Sequence, residues 1–259
     1  MNNIENCLNS CVYIINDNIN EISKFIMSVN TLLKFHKIKK LYIFYDMEDK
    51  DISNYVNNLN YQKHNENIEV ICKKINIKLF NYFNLGNNLI DYNLYNLFIS
   101  SLIEDDNYIY INNNILFSEN IYNVFNDNID NSTLLFGFND KIYLDAPNDF
   151  GNYFFNKNMI GVEILYINSK LYNQMNILDD IVEYFRQNYQ NIDNILLSCY
   201  NYIFIKYSKI CNIKYSSNYN RCIADPKKLM NEWEYIHLFN FNNKNAIFMN
   251  TIYDLILKK

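Results

Sequence analysis

Three apolar runs in the first half of this chain stop abruptly at polar residues. Cys11-Val-Tyr-Ile-Ile ends at Asn16-Asp17-Asn18, Leu41-Tyr-Ile-Phe-Tyr ends at Asp46, and Tyr108-Ile-Tyr-Ile ends at Asn112-Asn113-Asn114. Each run is short, aromatic and β-branched, the pattern of a strand buried on both faces. Between them the period changes. Asn16-Asp17-Asn18 offers a helix start, and Ile22, Phe25, Ile26, Val29, Leu32 and Leu33 then recur at helical spacing. Asp51 to Leu59 reads as a short helix, Ile68-Glu-Val-Ile-Cys as a further strand, and Tyr92 to Ile103 as an apolar helix leading through Asp105-Asp106 into the strand before the asparagines. Strands alternating with helices predict right-handed crossovers and an α/β fold with a mostly parallel sheet. In such folds functional groups collect at the carboxyl ends of the strands, where Asp17, Asp46 and Asn112 to Asn114 stand.

The second half is mixed. Leu134-Leu-Phe-Gly-Phe and Gly161-Val-Glu-Ile-Leu-Tyr-Ile read as strands without a long helix between them, followed by helical stretches over Lys170 to Tyr189 and Ile192 to Tyr207. Glu163, a carboxylate within an apolar strand, is expected to face solvent. No Pro/Gly/Ser linker and no repeat divides the 259 residues, so one continuous domain is expected.

Composition narrows the partners. The formal charge is −5 with no basic stripe, which argues against nucleic acid. Four glycines leave no phosphate-cradling Gly-rich loop. Asparagine supplies 51 residues, so a single Asn carries little weight by itself. Arginine occurs only at Arg186 and Arg221; its bidentate fit to phosphate makes Arg221 a candidate, with a solvated surface arginine as the equal alternative. Cys7, Cys11, Cys72, Cys199, Cys211 and Cys222 show no zinc spacing. Cys72 and Cys199 lie in apolar runs and are expected to be buried thiols, pointing to a reducing compartment. No apolar run reaches the length of a transmembrane helix, and the amino terminus lacks a signal pattern, so a cytoplasmic protein without a membrane span is expected.

The ordered segments resemble glycosyltransferase family 8, which includes bacterial lipopolysaccharide sugar transferases and glycogenin. Tyr95-Asn-Leu-Phe-Ile resembles the family's Tyr-Arg-Leu helix, and Asp106-Asn-Tyr-Ile-Tyr-Ile-Asn-Asn-Asn-Ile-Leu-Phe resembles the strand carrying its Asp-x-Asp metal motif. Asn158-Met-Ile-Gly-Val through Ile167-Asn168, Ile192-Asp193-Asn194, Tyr219-Asn220, and Tyr235-Ile-His237 with Lys244 resemble later family segments in the same order. The departures fall on charge. Asn96 stands for the family's arginine, and Asn112 and Asn114 stand for the metal-binding carboxylates. The Asn-x-Asn also resembles bacterial members of glycosyltransferase family 6, which work without metal, although that family's Trp-His-Asp-Glu-Ser stretch is absent.

The resemblance implies a GT-A fold, in which a mixed, mostly parallel sheet is flanked by helices. Residues from about 11 to 130 would form the nucleotide-binding half and from about 131 to 250 the acceptor side. It implies a retaining sugar transfer from a nucleotide-sugar donor, UDP-linked, to a glycan acceptor. Donor binding would fall to Asp17, Asn96, Asn112, Asn114, Asn220, Arg221 and His237, and catalysis to Asp193 and Lys244. The leaving diphosphate needs charge stabilisation from metal or fixed donors. Amide oxygens offer a dipole where divalent cations prefer anionic oxygen. Weak or absent Mn/Mg dependence is therefore expected, with Asn112, Asn114 and His237 as the only metal ligands on offer. Lys244, Lys214 and Arg221 are the cations that would replace the metal. Asp193 would sit near the reacting sugar, or serve only as a helix cap. The alternative is a catalytically inactive module that keeps the fold to bind a glycan, nucleotide or protein.

Overall fold

A computed structural model describes residues 7–59, 67–83, 92–139, 160–188, 195–214, 236, 238–241 and 248–259. The strands among these residues are β1 (Cys7–Asn16), β2 (Lys37–Asp46), β3 (Glu69–Lys74), β4 (Tyr108–Ile111), β5 (Ile115–Phe117), β6 (Leu135–Asn139), β7 (Ile160–Ile167), β8 (Cys211–Lys214) and β9 (Leu238–Asn240). The helices are α1 (Ile19–Phe35), α2 (Asp49–Asn57), α3 (Tyr122–Asn126), α4 (Ser169–Gln174), α5 (Ile177–Asn188), α6 (Ile195–Lys206) and α7 (Met249–Lys258). Seven strands form a mixed, mostly parallel sheet in the order β3-β2-β1-β4-β7-β6-β8, flanked by helices, and β5 and β9 form a separate antiparallel pair. The expected fold class is thus present. The chain groups into two compact units, one from residues 1–74, 111–127 and 216–259, the other from 75–110 and 128–215.

In the first unit β1, β2 and β3 run parallel, with Asn16 in register with Asp46 at their carboxyl ends. Cys11 to Ile15 are all buried, as the uninterrupted apolar run requires. Asn18 caps α1, its side chain accepting from the Asn20 N–H at 2.9 Å, and the helix ends where His36 becomes extended. The buried face of α1 carries Ile22, Phe25, Val29, Leu32 and Leu33, the spacing read from the sequence. α7 buries Met249, Ile252 and Ile256 in a cluster with Leu116, Phe239 and Phe241, and Asn30 of α1 donates to the Tyr253 hydroxyl at 3.0 Å.

The second unit surrounds β6, which is antiparallel to β7 and parallel to β8. The expected apolar helix from Tyr92 is present as a tightly wound 3-10 helix over Tyr92–Ser101. Its Tyr95 and Phe98 pack with Phe80 and Phe83, and Phe83 meets Phe185 of α5 edge-on. The expected long helix from Lys170 breaks into α4 and α5 at Asn176, whose φ of 52° is a left-handed conformation that asparagine tolerates. Register slips between β6 and β7: Gly137 faces Leu165, yet Asn139 already faces Ile160, leaving a bulge on β7. Asn201 of α6 closes that gap. Its Oδ1 accepts from the Ile160 N–H at 2.9 Å and its Nδ2 donates to the Ile160 carbonyl at 3.2 Å. Gly137 is required beside it, because a Cβ would lie 2.7 Å from Ile160 Cγ1.

Two expectations about burial fail. Glu163 is buried with the rest of β7, because all eight residues of that strand are covered and no polar face exists. Cys72 is exposed, because β3 is an edge strand. Cys199 is buried as expected, and burial pushes its thiol up to about 12.

Candidate functional site

The strand β4 stops at Ile111, and Asn112 to Asn114 turn the chain into β5. The turn closes by the Ile115 N–H donating to the Asn112 carbonyl at 3.2 Å, while Asn112 Oδ1 accepts from the Asn114 N–H at 3.3 Å. That local bond is what asparagine offers at turns. Asn113 points inward. It is buried, and its Nδ2 donates to the Ile14 carbonyl of β1 at 3.0 Å. Asn112 and Asn114 stay half-buried. The Asn114 carbonyl in turn accepts from the Phe241 N–H at 3.0 Å, just past β9.

The segment that follows is strapped to α1 by side chains. Thr31 Oγ1 donates to the Ser28 carbonyl at 2.9 Å and accepts from the Phe117 N–H at 3.1 Å. His36 Nε2 accepts from the Ile121 N–H at 3.0 Å, with Nδ1 3.2 Å from the Leu32 carbonyl. This pairing assigns the imidazole proton to Nδ1 and makes the ring neutral. The ring also meets Phe117 edge-on at 5.1 Å, and Ser118 Oγ donates to the Ile236 carbonyl. Residues 111 to 121 are therefore held by a set of contacts, and Asn112 and Asn114 sit at a fixed place beside the end of β1. Asp17 lies exposed just past that end, between Asn16 and Asn18, whose side chains bond the local backbone. Asp46 is half-buried at the end of β2. The first unit thus brings Asp17, Asp46, Asn112 and Asn114 to one pole, as the sequence predicted. The straps at Thr31 and His36 carried no sequence signal.

Asn96 belongs to the second unit. It is 1% exposed, and neither atom of its amide has a hydrogen-bond partner among the described residues. The same helix is otherwise well tied. Ser100 Oγ lies 3.2 Å from the Tyr108 hydroxyl, Tyr172 donates to the Leu97 carbonyl at 2.9 Å, and Asn173 donates to the Ser100 carbonyl at 2.7 Å. The Tyr200 hydroxyl is also buried without a partner among the described residues. Burial raises Tyr172 and Tyr200 far above the usual phenol range, so both remain protonated donors. Lys214 is half-buried at the end of β8. Asp193, Asn220, Arg221, His237 and Lys244 lie outside the described residues.

The donor set at the turn does not suit the divalent metal that the resemblance brings with it. It supplies amide dipoles and no carboxylate, and the Asn112 oxygen already accepts a backbone N–H. Among the described residues no three His, Cys, Asp or Glu side chains come together as a metal site.

No protein-family model matches the chain, and no curated protein is significantly similar to it. Solved structures are similar over nearly the full length. The galactosyltransferase LgtC, in complex with donor and acceptor sugar analogs, superposes with a TM-score of 0.70 at 12% identity, covering 96% of this chain and 95% of that one. Mouse xyloside xylosyltransferase 1 gives 0.66 at 10% identity, over 92% and 99%. The bifunctional glycosyltransferase WbbM gives 0.68 at 12% identity, with 99% of this chain matching 50% of that one. The chain has the GT-A fold of these glycosyltransferases. At this identity the likeness defines the fold alone. No helix among the described residues is long and apolar enough to cross a membrane.

Proposed function

We propose that the chain is a glycosyltransferase that moves a sugar from a nucleotide-sugar donor, UDP-linked, to a glycan acceptor with retention of anomeric configuration. The observation that carries this reading is the likeness to LgtC over 96% of this chain and 95% of that one, with Asn112 and Asn114 held beside the end of β1. In this reading Asp17 meets the nucleoside, and Asn112 and Asn114 present amide dipoles to the diphosphate. Lys244 and Arg221 supply the positive charge that offsets the leaving group, with Asn220 and His237 beside them in sequence. Asp193 is the carboxylate assigned to the reacting sugar. Asn96 keeps the position of the family's arginine as an uncharged donor. Divalent metal contributes weakly or not at all, since neither amide brings a negative charge. Loss of one preorganised donor of this type slows the chemical step by about 10²–10³, so Lys244→Ala should reduce turnover on that order.

The test is titration of UDP and UDP-sugars into the protein, once with EDTA and once with manganese, followed by an assay of donor hydrolysis and transfer. Binding that ignores manganese is expected. No nucleotide binding in either condition would sink the reading. The double variant Asn112→Asp/Asn114→Asp should acquire manganese-dependent donor binding; a folded variant still indifferent to manganese would show that the turn does not face the donor.

A second reading has one observation in its favour: Asn112 Oδ1 already bonds its own turn at 3.3 Å. An amide occupied in this way suits a module that binds a glycan, nucleotide or protein without chemistry. Tight nucleotide or glycan binding with no hydrolysis or transfer would select it.

A further inference from the structure

The buried face of α1 is apolar except at Ser28, Asn30 and Thr31, with His36 following at its carboxyl end. Each of the four reaches a different element. Ser28 Oγ meets the Tyr13 hydroxyl of β1 at 3.0 Å, Asn30 reaches Tyr253 of α7, Thr31 reaches Phe117 of β5, and His36 reaches Ile121 ahead of α3. Buried polar groups are costly without partners, and here each one ties the helix to a neighbour. Thr31 is fully buried, and its one hydroxyl proton goes to the Ser28 carbonyl at 2.9 Å. Its oxygen therefore faces the Phe117 N–H purely as an acceptor, at 3.1 Å.

Two side-chain bonds tie the asparagine turn and β5 to β1 and α1: Asn113 on the Ile14 carbonyl and, four residues on, the Phe117 N–H on Thr31. A single bond lets a turn pivot, whereas a second one about 13 Å further along the strand fixes its tilt. The ladder of β5 with β9 is only three residues long and adds little against such a pivot. At the other end of the same helix Asn18 caps α1 directly beside Asp17. The helix is thus a rigid bar, about 20 Å from Asn18 to Thr31, joined at one end to Asp17 and at the other to the strand behind Asn114.

We propose that Thr31 is a positioning residue for the donor: acting through Phe117, it sets where Asn112 and Asn114 stand relative to Asp17. The proposal rests on the reading of those three residues as donor-binding. A site held on a rigid element keeps its geometry only while the bonds behind it are intact. Valine at position 31 fills the same space but offers no acceptor. The buried Phe117 N–H must then turn toward another one, and β5 and the turn follow it. Serine keeps the oxygen and with it the tie.

The experiment reads the turn and the ligand separately in the full chain. Nitrogen-15 NMR follows the side-chain amide signals of Asn112 and Asn114, assigned by their loss in Asn112→Asp and Asn114→Asp. Both signals should move in Thr31→Val and return in Thr31→Ser. UDP binding should weaken about tenfold in Thr31→Val, short of the roughly hundredfold that a misplacement of about 1 Å can cost, and recover in Thr31→Ser. Tyr253→Phe removes another buried bond of the same helix, the one from Asn30, and should leave both signals and UDP binding as in the parent. Thr31→Ala lacks the same acceptor and stands in if Thr31→Val does not fold, as circular dichroism will show. A folded Thr31→Val or Thr31→Ala with both signals unmoved would overturn the proposal. So would a Thr31→Ser that behaves like the valine variant, or a Tyr253→Phe that moves the signals equally. Signals that move in a protein binding no UDP uphold the placement of the turn by Thr31 and reject only its donor-binding role.

Discussion

Two buried asparagines, one in each unit, differ in whether the amide nitrogen is bonded. Asn113 is buried with its Nδ2 on the Ile14 carbonyl, joining the turn to β1, while its Oδ1 has no partner among the described residues. Asn96 is buried with no partner for either amide atom among the described residues. In an Asn-rich chain the sequence marks both positions alike, and only the surroundings separate them. A bonded amide contributes modestly to stability, whereas an unbonded buried one costs about 1–3 kcal/mol. Asn113 therefore serves as a structural tie through its nitrogen. Asn96, with neither amide atom bonded among the described residues, is the one of the two that packing does not explain.

The largest expected effect lies in the aromatic cluster formed by the neighbours of Asn96 in sequence, Tyr95 and Phe98. Phe98→Ala should lower stability in urea by about 3–5 kcal/mol, since Phe98 is buried against Phe80, Phe83 and Tyr95. His36→Leu should cost about 1–3 kcal/mol by stranding the Ile121 N–H. Asn113→Leu should cost a similar amount, with the Ile14 carbonyl left bare. Asn96→Leu should be neutral or stabilising by up to about 1–3 kcal/mol, measured the same way. If Asn96→Leu and Asn113→Leu proved equally damaging, the contrast between the two amides would be broken.

The smallest effect concerns a partly exposed pair. Partial burial works to raise the Asp180 carboxyl, but the bonds from Lys206 and Tyr207 outweigh it and hold the pKa below the usual carboxylate range. A depressed folded-state pKa means that the contribution is present above the ordinary carboxylate value and fades as pH falls through the folded one. Asp180→Asn should therefore flatten the acid limb of a stability–pH profile, by under about 1 kcal/mol for a pair open to solvent.

Much of this was legible in the residues. Uninterrupted apolar runs gave β1, β2, β4 and β7, and the spacing from Ile22 to Leu33 gave α1. Asp17, Asp46 and the asparagine turn were placed by the rule that loops after parallel strands share one pole. What escaped was set by partners distant in sequence. Glu163 looked solvent-facing because alternation cannot reveal a strand covered on both sides. Cys72 looked buried because an edge strand has the same composition as a central one. The break at Asn176 was hidden by the abundance of asparagine, of which this one alone among the described non-glycine residues has positive φ. The pairing of β5 with β9 joins Phe117 to Leu238 and no local pattern announces it.

That last pairing has a consequence for how the molecule comes into being. The first unit is assembled from three separated stretches of chain, and α7 covers Leu116 with side chains from Met249 onward. During synthesis the turn at Asn112 emerges long before the residues that seal the apolar surface behind it. Until α7 arrives, Leu116 lacks the side chains that cover it, and closing so long a loop is slow. The nascent chain thus passes through an interval in which apolar surface next to the candidate site is exposed, an aggregation hazard that the finished fold conceals.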